Sequence, residues 1–407
     1  RSVLAGYRTF NNTKEQRIEN LFRNISFLQE ALPIHDLQDA LEGKPVIVLG
    51  AGPSLTGVIP FLREQAGRLF TIAVDAALAV LLKSGIAPDL AATCESHPAK
   101  LKAISPIEED SLKSIPLVFT PTAHPEIVQR FGKKFIVNIE DSLASWFVNK
   151  GREVATFSDI QTVSKLGFMT ARLMGADPIF LAGVDLSFPV NREHAEGCPA
   201  TWTVDFDGGS FLWVPDNQGG KVRTIEGFAS MIYSFEREIA HTEARCINLS
   251  KQGASIKGAE WMPLDDALDL LQSRVDRLSG ILHESFKKSD LSKSYSEALR
   301  WTMAQIEGLM EITTISSTFG TTPPFEERAQ DDLARCYAAA MQHGVFLDVL
   351  TDYLPGYMEH CAGAPSEDRR NSNRPALLFQ ELGSLLPLLK THCSSAIEML
   401  RSELKSC

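Results

Sequence analysis

Residues 46–55, which read VIVLGAGPSL, decide the fold class of this chain. Four consecutive apolar residues, three of them β-branched, predict a strand that is buried on both faces. Glycine lets a backbone approach a ligand closely, and free amides at the start of a helix bind anions. The stretch therefore predicts a strand–loop–helix unit whose loop holds a phosphate or nucleotide, with a plain tight turn as the alternative. It contains neither a third fingerprint glycine nor a Gly-Lys-Ser/Thr sequence.

Further short apolar runs, separated by helical stretches, follow the first strand. Such runs are typical of central strands in a parallel sheet with crossover helices. We therefore predict an α/β fold with a Rossmann-like, doubly wound, mostly parallel sheet, which binds ligands beyond the carboxyl ends of its strands. The predicted strands are Leu69–Val74, Leu90–Cys94, Leu117–Thr120, Phe135–Ile139, Ile179–Gly183 and Cys246–Leu249.

Three regions differ in pattern along the chain. Residues 1–43 predict a lead-in helix, because apolar residues recur every three or four positions until Pro33 ends the pattern. Residues 44–262 carry the α/β pattern. Residues 263–407 show amphipathic stripes near 295–310, 333–350 and 377–404 and no strand pattern, which predicts an all-α helical bundle domain.

Composition excludes several classes of protein. The chain has 407 residues, 44% hydrophobic and 22% charged, with a net charge of −11. An acidic balance argues against a nucleic-acid-coating surface, and no apolar run approaches the roughly 18 residues of a membrane span. The seven cysteines are scattered without a C-x-x-C pair. They predict reduced thiols in the cytoplasm and no metal site.

Acidic residues follow three of the predicted strands. Asp75, Glu95 and Asp185 each come at a carboxyl end, where a parallel sheet presents side chains to its ligand. Carboxylates there hold ribose hydroxyls or an amino-bearing base. A helix N-cap is the alternative for Asp75, and a solvated loop acid is the alternative for Glu95.

Four other segments carry candidate polar groups. Thr162 and Ser164 open a predicted helix, and His194 lies on the loop beyond the strand that precedes Asp185. Residues 211–224 predict a hairpin with a Gly-rich tip, which is either a lid over the sheet edge or a plain surface hairpin. The loop that includes Ser250 either closes around a base or connects domains.

Together these motifs resemble the Maf (motility-associated factor) family of bacterial flagellin glycosyltransferases over roughly residues 10–265. The resemblance rests on GAGPSL at 50–55, VDAAL at 74–78, AGVDLSF at 182–188, HAEG at 194–197 and SKQGASIKG at 250–258. Maf proteins are in turn similar to bacterial sialyltransferases that use CMP-activated sugars. Those enzymes have Asn where this chain has Ala51, and their general-base His has no counterpart in residues 216–224.

The resemblance implies an inverting transferase that moves a nonulosonic acid, of the pseudaminic or legionaminic type, from its CMP conjugate to Ser or Thr hydroxyls of flagellin. The CMP-sugar is then a substrate, and no cofactor is expected. The expected binding residues are Gly50, Ala51, Gly52, Pro53, Ser54, Asp75, Glu95, Thr162, Ser164, Gly183, Asp185, Ser187 and Ser250. His194 is expected to assist the departure of CMP, while Asp216, Glu95 and His194 compete for the role of catalytic base.

Two alternatives remain open. Archaeal-type hydroxymethylpterin diphosphokinases share the loop signature, so an ATP-dependent pyrophosphoryl transferase is possible. The chain could also be a non-catalytic module that binds the helical segments of flagellin through its own apolar stripes.

Overall fold

The computed structural model describes residues 2–149, 154–189, 191–199, 210–272, 282, 299–304, 306–307, 310 and 374–406. Most of the predicted stripes near 295–310 and 333–350 therefore lie outside the described residues. The stripe near 377–404 lies within a long C-terminal helix, Arg374–Ser406.

The chain divides into two compact units that interleave along the sequence. Unit 1 takes the described parts of Arg1–Ala5, Ala31–Ile139 and Glu153–Ser289. Unit 2 takes those of Gly6–Glu30, Glu140–Arg152 and Asp290–Cys407. The lead-in helix thus groups with two later segments, where the sequence pattern predicted a separate region ending at residue 43.

A nine-stranded sheet forms the centre of unit 1, and every strand pairing in it is parallel. The strands of the described chain are β1 Leu32–Pro33, β2 Val46–Leu49, β3 Phe70–Val74, β4 Leu90–Thr93, β5 Leu117–Phe119, β6 Lys134–Ile136, β7 Asn138–Ile139, β8 Thr156–Phe157, β9 Ile179–Ala182, β10 Leu212–Pro215, β11 Lys221–Thr224, β12 Cys246–Asn248 and β13 Ala259–Trp261. The order of the nine-stranded sheet is β1-β6-β5-β4-β3-β2-β9-β12-β13. Smaller sheets pair β7 with β8 in parallel and β10 with β11 antiparallel. The predicted Rossmann-like class is confirmed.

Helices connect most of these strands. They are α1 Ser2–Arg23, α2 Ile25–Glu30, α3 Leu55–Glu64, α4 Asp75–Lys83, α5 Leu101–Ile104, α6 Glu109–Lys113, α7 Pro125–Val128, α8 Ser142–Val148, α9 Val163–Leu173, α10 Glu226–Ile239, α11 Leu264–Gln272 and α12 Arg374–Ser406. Short 3₁₀ helices span Ile34–Leu37 and Pro98–Lys100.

Helix α9 is the most deeply buried connection. Val163 through Ala171 are all buried, and the helix packs on β2, β3 and β4. At Gly167 a Cβ atom would lie 3.0 Å from a methyl carbon of Val48, so this helix runs close to the sheet. The start of α9 is consequently held at the carboxyl edge of the central strands.

Three short strands were not predicted from the sequence. Leu32–Pro33, Thr156–Phe157 and Ala259–Trp261 have only two or three residues, which is too few to show a period. Pro33 ends the lead-in helical pattern as expected, and it also pairs with Ile136 at the edge of the sheet. A proline is tolerated there because an edge strand leaves one side unpaired.

Candidate functional site

The candidate site lies where the strand order reverses. From β2, the chain adds β3, β4, β5 and β6 on one side, and β9, β12 and β13 on the other. A cavity of about 150 Å³ lies at this point, bordered by the residues that follow β2, β3, β4 and β9. Ligands of open parallel sheets bind at such a switch point.

Ten of the fifteen predicted site residues line this cavity. They are Ala51, Gly52, Asp75, Glu95, Thr162, Ser164, Gly183, Asp185, Ser187 and His194. Gly50, Asp216 and Ser250 do not line it, and Pro53 and Ser54 line a second cavity of about 620 Å³ that Asp185 also borders. The structure thus brings most of the predicted set together at one edge of the sheet.

The glycines after β2 allow two loops to approach each other closely. The Gly50 amide donates to the Ala182 carbonyl and the Gly52 amide donates to the Gly183 carbonyl, each at 2.8 Å. A Cβ atom on Gly50 would lie 2.3 Å from the Gly183 carbonyl oxygen. Gly183 has φ +67°, and its own Cβ atom would lie 2.3 Å from the Gly50 carbonyl oxygen. The close approach expected for a ligand is thus made by the protein backbone.

Ser54 binds an internal carboxylate. Its amide and hydroxyl donate to Oδ2 of Asp185 at 2.9 and 3.0 Å, and its Oγ lies 2.8 Å from Oγ of Ser250. The expectation that Gly52 and Ser54 offer free donors to a phosphate is therefore corrected. The anion at the start of α3 is the side chain of Asp185.

Asp185 is buried between the loops that follow β2 and β12. Burial raises the pKa of its carboxyl, against the opposing effect of the hydrogen bonds from Ser54. Oδ1 of Asp185 is buried with no hydrogen-bond partner in the described part of the chain. A Cβ atom on Gly253 would lie 2.9 Å from this oxygen, so the surroundings of Asp185 are tightly packed.

The start of α9 presents hydrogen-bond donors at the cavity wall. Thr162 has an extended backbone and occupies the N-cap, and its side chain makes no capping hydrogen bond. Its carbonyl accepts from the amides of Lys165 and Leu166. Within the described residues, the amides of Val163 and Ser164 have no acceptor. Two amides, two hydroxyls and the positive end of the helix dipole therefore lie at the cavity wall.

Asp75 and Glu95 form the acidic wall. Oδ2 of Asp75 accepts from the Thr93 hydroxyl at 2.6 Å, and Oδ1 accepts from the Ala76 amide at 2.7 Å. Burial and then the nearby charge of Glu95 raise the pKa of Asp75 to about 7. The helix N-cap is Val74, so Asp75 is instead the first residue of α4.

Glu193 and His194 face this wall from the loop beyond β9. The Ala195 amide donates to the Ala51 carbonyl at 2.8 Å, which fixes the loop on the turn after β2. Burial, and then the charge of Lys100, lower the pKa of His194 to about 4. Burial raises the pKa of Glu193 to about 7, although Lys100 acts against this rise. His194 is therefore neutral at pH 7, and Glu193 is poised to gain or lose a proton.

The predicted hairpin is confirmed as β10 and β11, but the side chain of Asp216 stabilises the turn of the hairpin. Oδ1 of Asp216 accepts from the amides of Gln218 and Gly220, both at 2.8 Å. Asn217 donates to the Ser250 carbonyl at 2.7 Å, and Thr224 donates to the Leu186 carbonyl at 2.8 Å. The hairpin is thus fastened to the loops after β9 and β12, and the carboxylate of Asp216 lies outside the cavity lining.

Comparison with known proteins shows what the segment that carries most of the sheet is similar to. Residues 19–191 match the family model described as MptE-like, 6-hydroxymethylpterin diphosphokinase MptE-like. A search of curated proteins by sequence finds no match.

A solved structure shares the fold over almost the whole chain. The MAf glycosyltransferase from Magnetospirillum magneticum AMB-1 matches with a TM-score of 0.52 and 16% sequence identity. The match covers 95% of this chain and 60% of that protein, so the chain spans about three fifths of its length. The Maf resemblance indicated by the motifs is confirmed at the level of the fold.

The segment that matches the family model holds only part of the site. Glu193 and His194 follow it directly, and Phe228 and Met231 come from α10. Sequence reasoning did not select Glu193, Lys100 or these two apolar residues. Glu193 is adjacent to His194 in sequence, and Lys100 comes five positions after Glu95. A charged residue that is exposed to solvent can have the same sequence neighbours, so the sequence does not distinguish the two cases. Only the fold shows that they line the cavity.

The described residues contain neither a metal-binding cluster nor a membrane-spanning helix. Within the described ranges, no group of three or more His, Cys, Asp or Glu side chains is arranged to hold a metal ion. Among the helices the structure describes, none is long and apolar enough to cross a membrane.

Proposed function

We propose that the chain is a glycosyltransferase that moves a nonulosonic acid from its CMP conjugate to Ser or Thr hydroxyls of flagellin. Two things support the proposal. The motifs resemble those of Maf proteins, and the described fold matches the solved structure of a MAf glycosyltransferase. The donor, the acceptor and the inverting outcome are what the motif resemblance implies.

The observation that carries the proposal is the open start of α9 at the switch point. A CMP-sugar carries one phosphodiester, which needs hydrogen-bond donors in place of water. The amides of Val163 and Ser164 and the hydroxyls of Thr162 and Ser164 supply them next to the helix dipole. The loop after β2 keeps its shape without a ligand, because its amides already bind Gly183 and Asp185.

His194, which lines the cavity, would help CMP leave. A neutral imidazole still donates a hydrogen bond through one ring nitrogen, and a phosphate beside it would stabilise the protonated form. Because burial lowers its pKa to about 4, His194 would enter the reaction uncharged. It would take up charge only as the phosphate arrives.

Binding and transfer are measured separately. Calorimetry with CMP is expected to show binding that weakens about 10-fold or more in Thr162→Val and Ser164→Ala. Ser105→Ala is the matched control, because Ser105 is exposed and lies outside the cavity lining. Incubation with CMP-pseudaminic acid or CMP-legionaminic acid and flagellin is expected to increase the intact mass of flagellin by the sugar residue. Flagellin capture with no mass increase from either donor would contradict the transferase.

A second function is favoured by the family match. The model that covers residues 19–191 is described as a pterin diphosphokinase, which would use ATP as donor. ATP with Mg²⁺ and CMP can be compared in the same calorimetric cell. If ATP–Mg²⁺ binds, Ser164→Ala weakens that binding, and CMP does not bind, the proposed glycosyltransferase function would be rejected in favour of the diphosphokinase.

A further inference from the structure

The carboxylate of Glu193 has no assigned task in the fold. Its side chain is 12% exposed and lines the cavity. Among the described residues no group donates a hydrogen bond to it, and its nearest ionic neighbour is Nδ1 of His194 at 3.6 Å from Oε2. A mostly buried carboxylate without a donor is uncommon in a structural role, because burial of such a group is unfavourable unless it is paired.

The other acids near the hairpin and the cavity are engaged. Both carboxylate oxygens of Asp75 accept hydrogen bonds, and Asp216 holds the hairpin turn. Glu95 lies 3.6 Å from the ammonium group of Lys100. Neither the carboxylate of Glu95 nor that of Glu193 receives a hydrogen bond from the described chain, but the side chain of Glu193 is 12% exposed against 30% for Glu95, and Glu193 forms no ion pair with a lysine or arginine of the described residues.

We infer that Glu193 is the general base that accepts the proton of the acceptor hydroxyl, an inference that rests on the proposed glycosyl transfer. The acceptor oxygen bonds to the anomeric carbon of the sugar while the bond from that carbon to the phosphate oxygen breaks. The hydroxyl proton passes to the carboxylate of Glu193, and CMP leaves with the electron pair.

The charges that face Glu193 suit this role. Asp75 and Glu95 lie on the acidic wall, Lys100 comes from the 3₁₀ helix after β4, and His194 is adjacent in sequence. Burial and Glu95 raise the pKa of Glu193 against the effect of Lys100, to about 7. A base works best when its pKa is near the working pH, because it is then both available and strong enough.

The decisive variant is Glu193→Gln, which keeps the size of the side chain and removes the base. We expect transfer to flagellin to fall about 10²–10⁴-fold, with CMP affinity and the thermal unfolding midpoint unchanged. Glu196→Gln is the matched control, since Glu196 is exposed and absent from the cavity wall. Glu193→Asp, which keeps a carboxylate, is expected to retain partial transfer.

The pH profile separates a base from a structural residue. In the wild type, transfer is expected to rise with pH through an apparent pKa near 7 and then level off. Asp75 has a similar pKa, so Asp75→Asn is measured beside Glu193→Gln. The inference expects the rise to persist in Asp75→Asn and to vanish from the residual activity of Glu193→Gln.

Two outcomes overturn the inference in distinguishable ways. If the wild type binds CMP but transfers no sugar, the proposed function fails and the base fails with it. If the wild type transfers sugar and Glu193→Gln stays within about 3-fold with the same pH profile, the assignment of the base alone is overturned.

Discussion

At the scale of single residues, Asp185 shows how a functional-looking motif is used internally. The carboxylate receives the amide and hydroxyl of Ser54, which lies 131 residues earlier in the chain. A buried carboxylate replaces the external anion that the glycine loop was predicted to bind. The stability of the loop and the charge of Asp185 are therefore linked.

The first prediction concerns this link. Asp185→Ala leaves the donors of Ser54 without an acceptor and is expected to lower the free energy of unfolding by about 1–3 kcal/mol. Asp185→Asn keeps an acceptor oxygen and is expected to lower it less. The folded-state pKa of Asp185 is raised, so the wild type loses stability relative to Asp185→Asn as pH rises above the ordinary aspartate range. Urea unfolding of the wild type and both variants at pH 5 and pH 7 measures these differences in the free energy of unfolding. A difference between the wild type and Asp185→Asn that is the same at both pH values would contradict the predicted pH dependence.

The second prediction concerns Lys100. Its positive charge lowers the pKa of both His194 and Glu193. Lys100→Met is therefore expected to move the His194 titration upward from about 4, which NMR of the imidazole protons can follow. Lys102→Met is the control, because Lys102 is exposed and does not line the cavity. An unchanged His194 titration in Lys100→Met would show that the two groups do not interact.

At the scale of elements, the turns after β2 and β9 pack directly against each other. Gly50 and Gly183 each lack the side chain that would strike the carbonyl oxygen of the other. Each turn therefore restricts the residue type of its neighbour, although they are far apart in sequence.

The third prediction compares two glycines of the same segment. Gly50→Ala places a Cβ atom 2.3 Å from backbone, so we expect the free energy of unfolding to fall by about 1–3 kcal/mol or more. Gly57→Ala lies in α3 with open space around the new atom, and is expected to raise it by about 0.5–1 kcal/mol. Chemical denaturation of both variants is the measurement. Equal effects would show that the inter-loop contact is not tight.

The elements of the sheet were predictable because their signals are local. The central strands β2, β3, β4 and β9 are mainly apolar runs that lie next to a glycine or an acidic residue, and the hairpin is marked by its Gly-rich tip. The partner of Ser54 was not predictable, since no local pattern relates position 54 to position 185. Glu193 was missed for a related reason, because its burial depends on the loop after β2 holding Ala195.

At the scale of the whole molecule, unit 2 joins segments from the beginning, middle and end of the chain. Phe22 of α1 lies in edge contact with Phe147 of α8, with ring centroids 5.6 Å apart. It also stacks on His392 of α12, at 6.1 Å. The amphipathic pattern of each segment was visible in the sequence, but the pattern does not specify which helices pack together.

The fourth prediction tests Phe22 as the link between these segments. Phe22 is 2% exposed, and Phe22→Ala is expected to lower the free energy of unfolding by about 3–5 kcal/mol. Tyr233→Ala is the control: Tyr233 is 56% exposed, and its loss is expected to change stability by no more than about 0.5 kcal/mol. Far-UV circular dichroism during urea unfolding gives both values. A loss below about 1 kcal/mol for Phe22→Ala would mean that unit 2 holds together without it.

The strand order also determines when each strand of the sheet can pair during synthesis of the chain. Strands β2 to β6 emerge from the ribosome in succession and can begin to pair, whereas β9 follows much later. At about 5–20 residues per second, the 131 residues between Ser54 and Asp185 take about 7–26 s to translate. During that interval the amide and hydroxyl of Ser54 have no Asp185 carboxylate to bind, so the contacts that fix the turn after β2 can form only once β9 and the loop after it have been made.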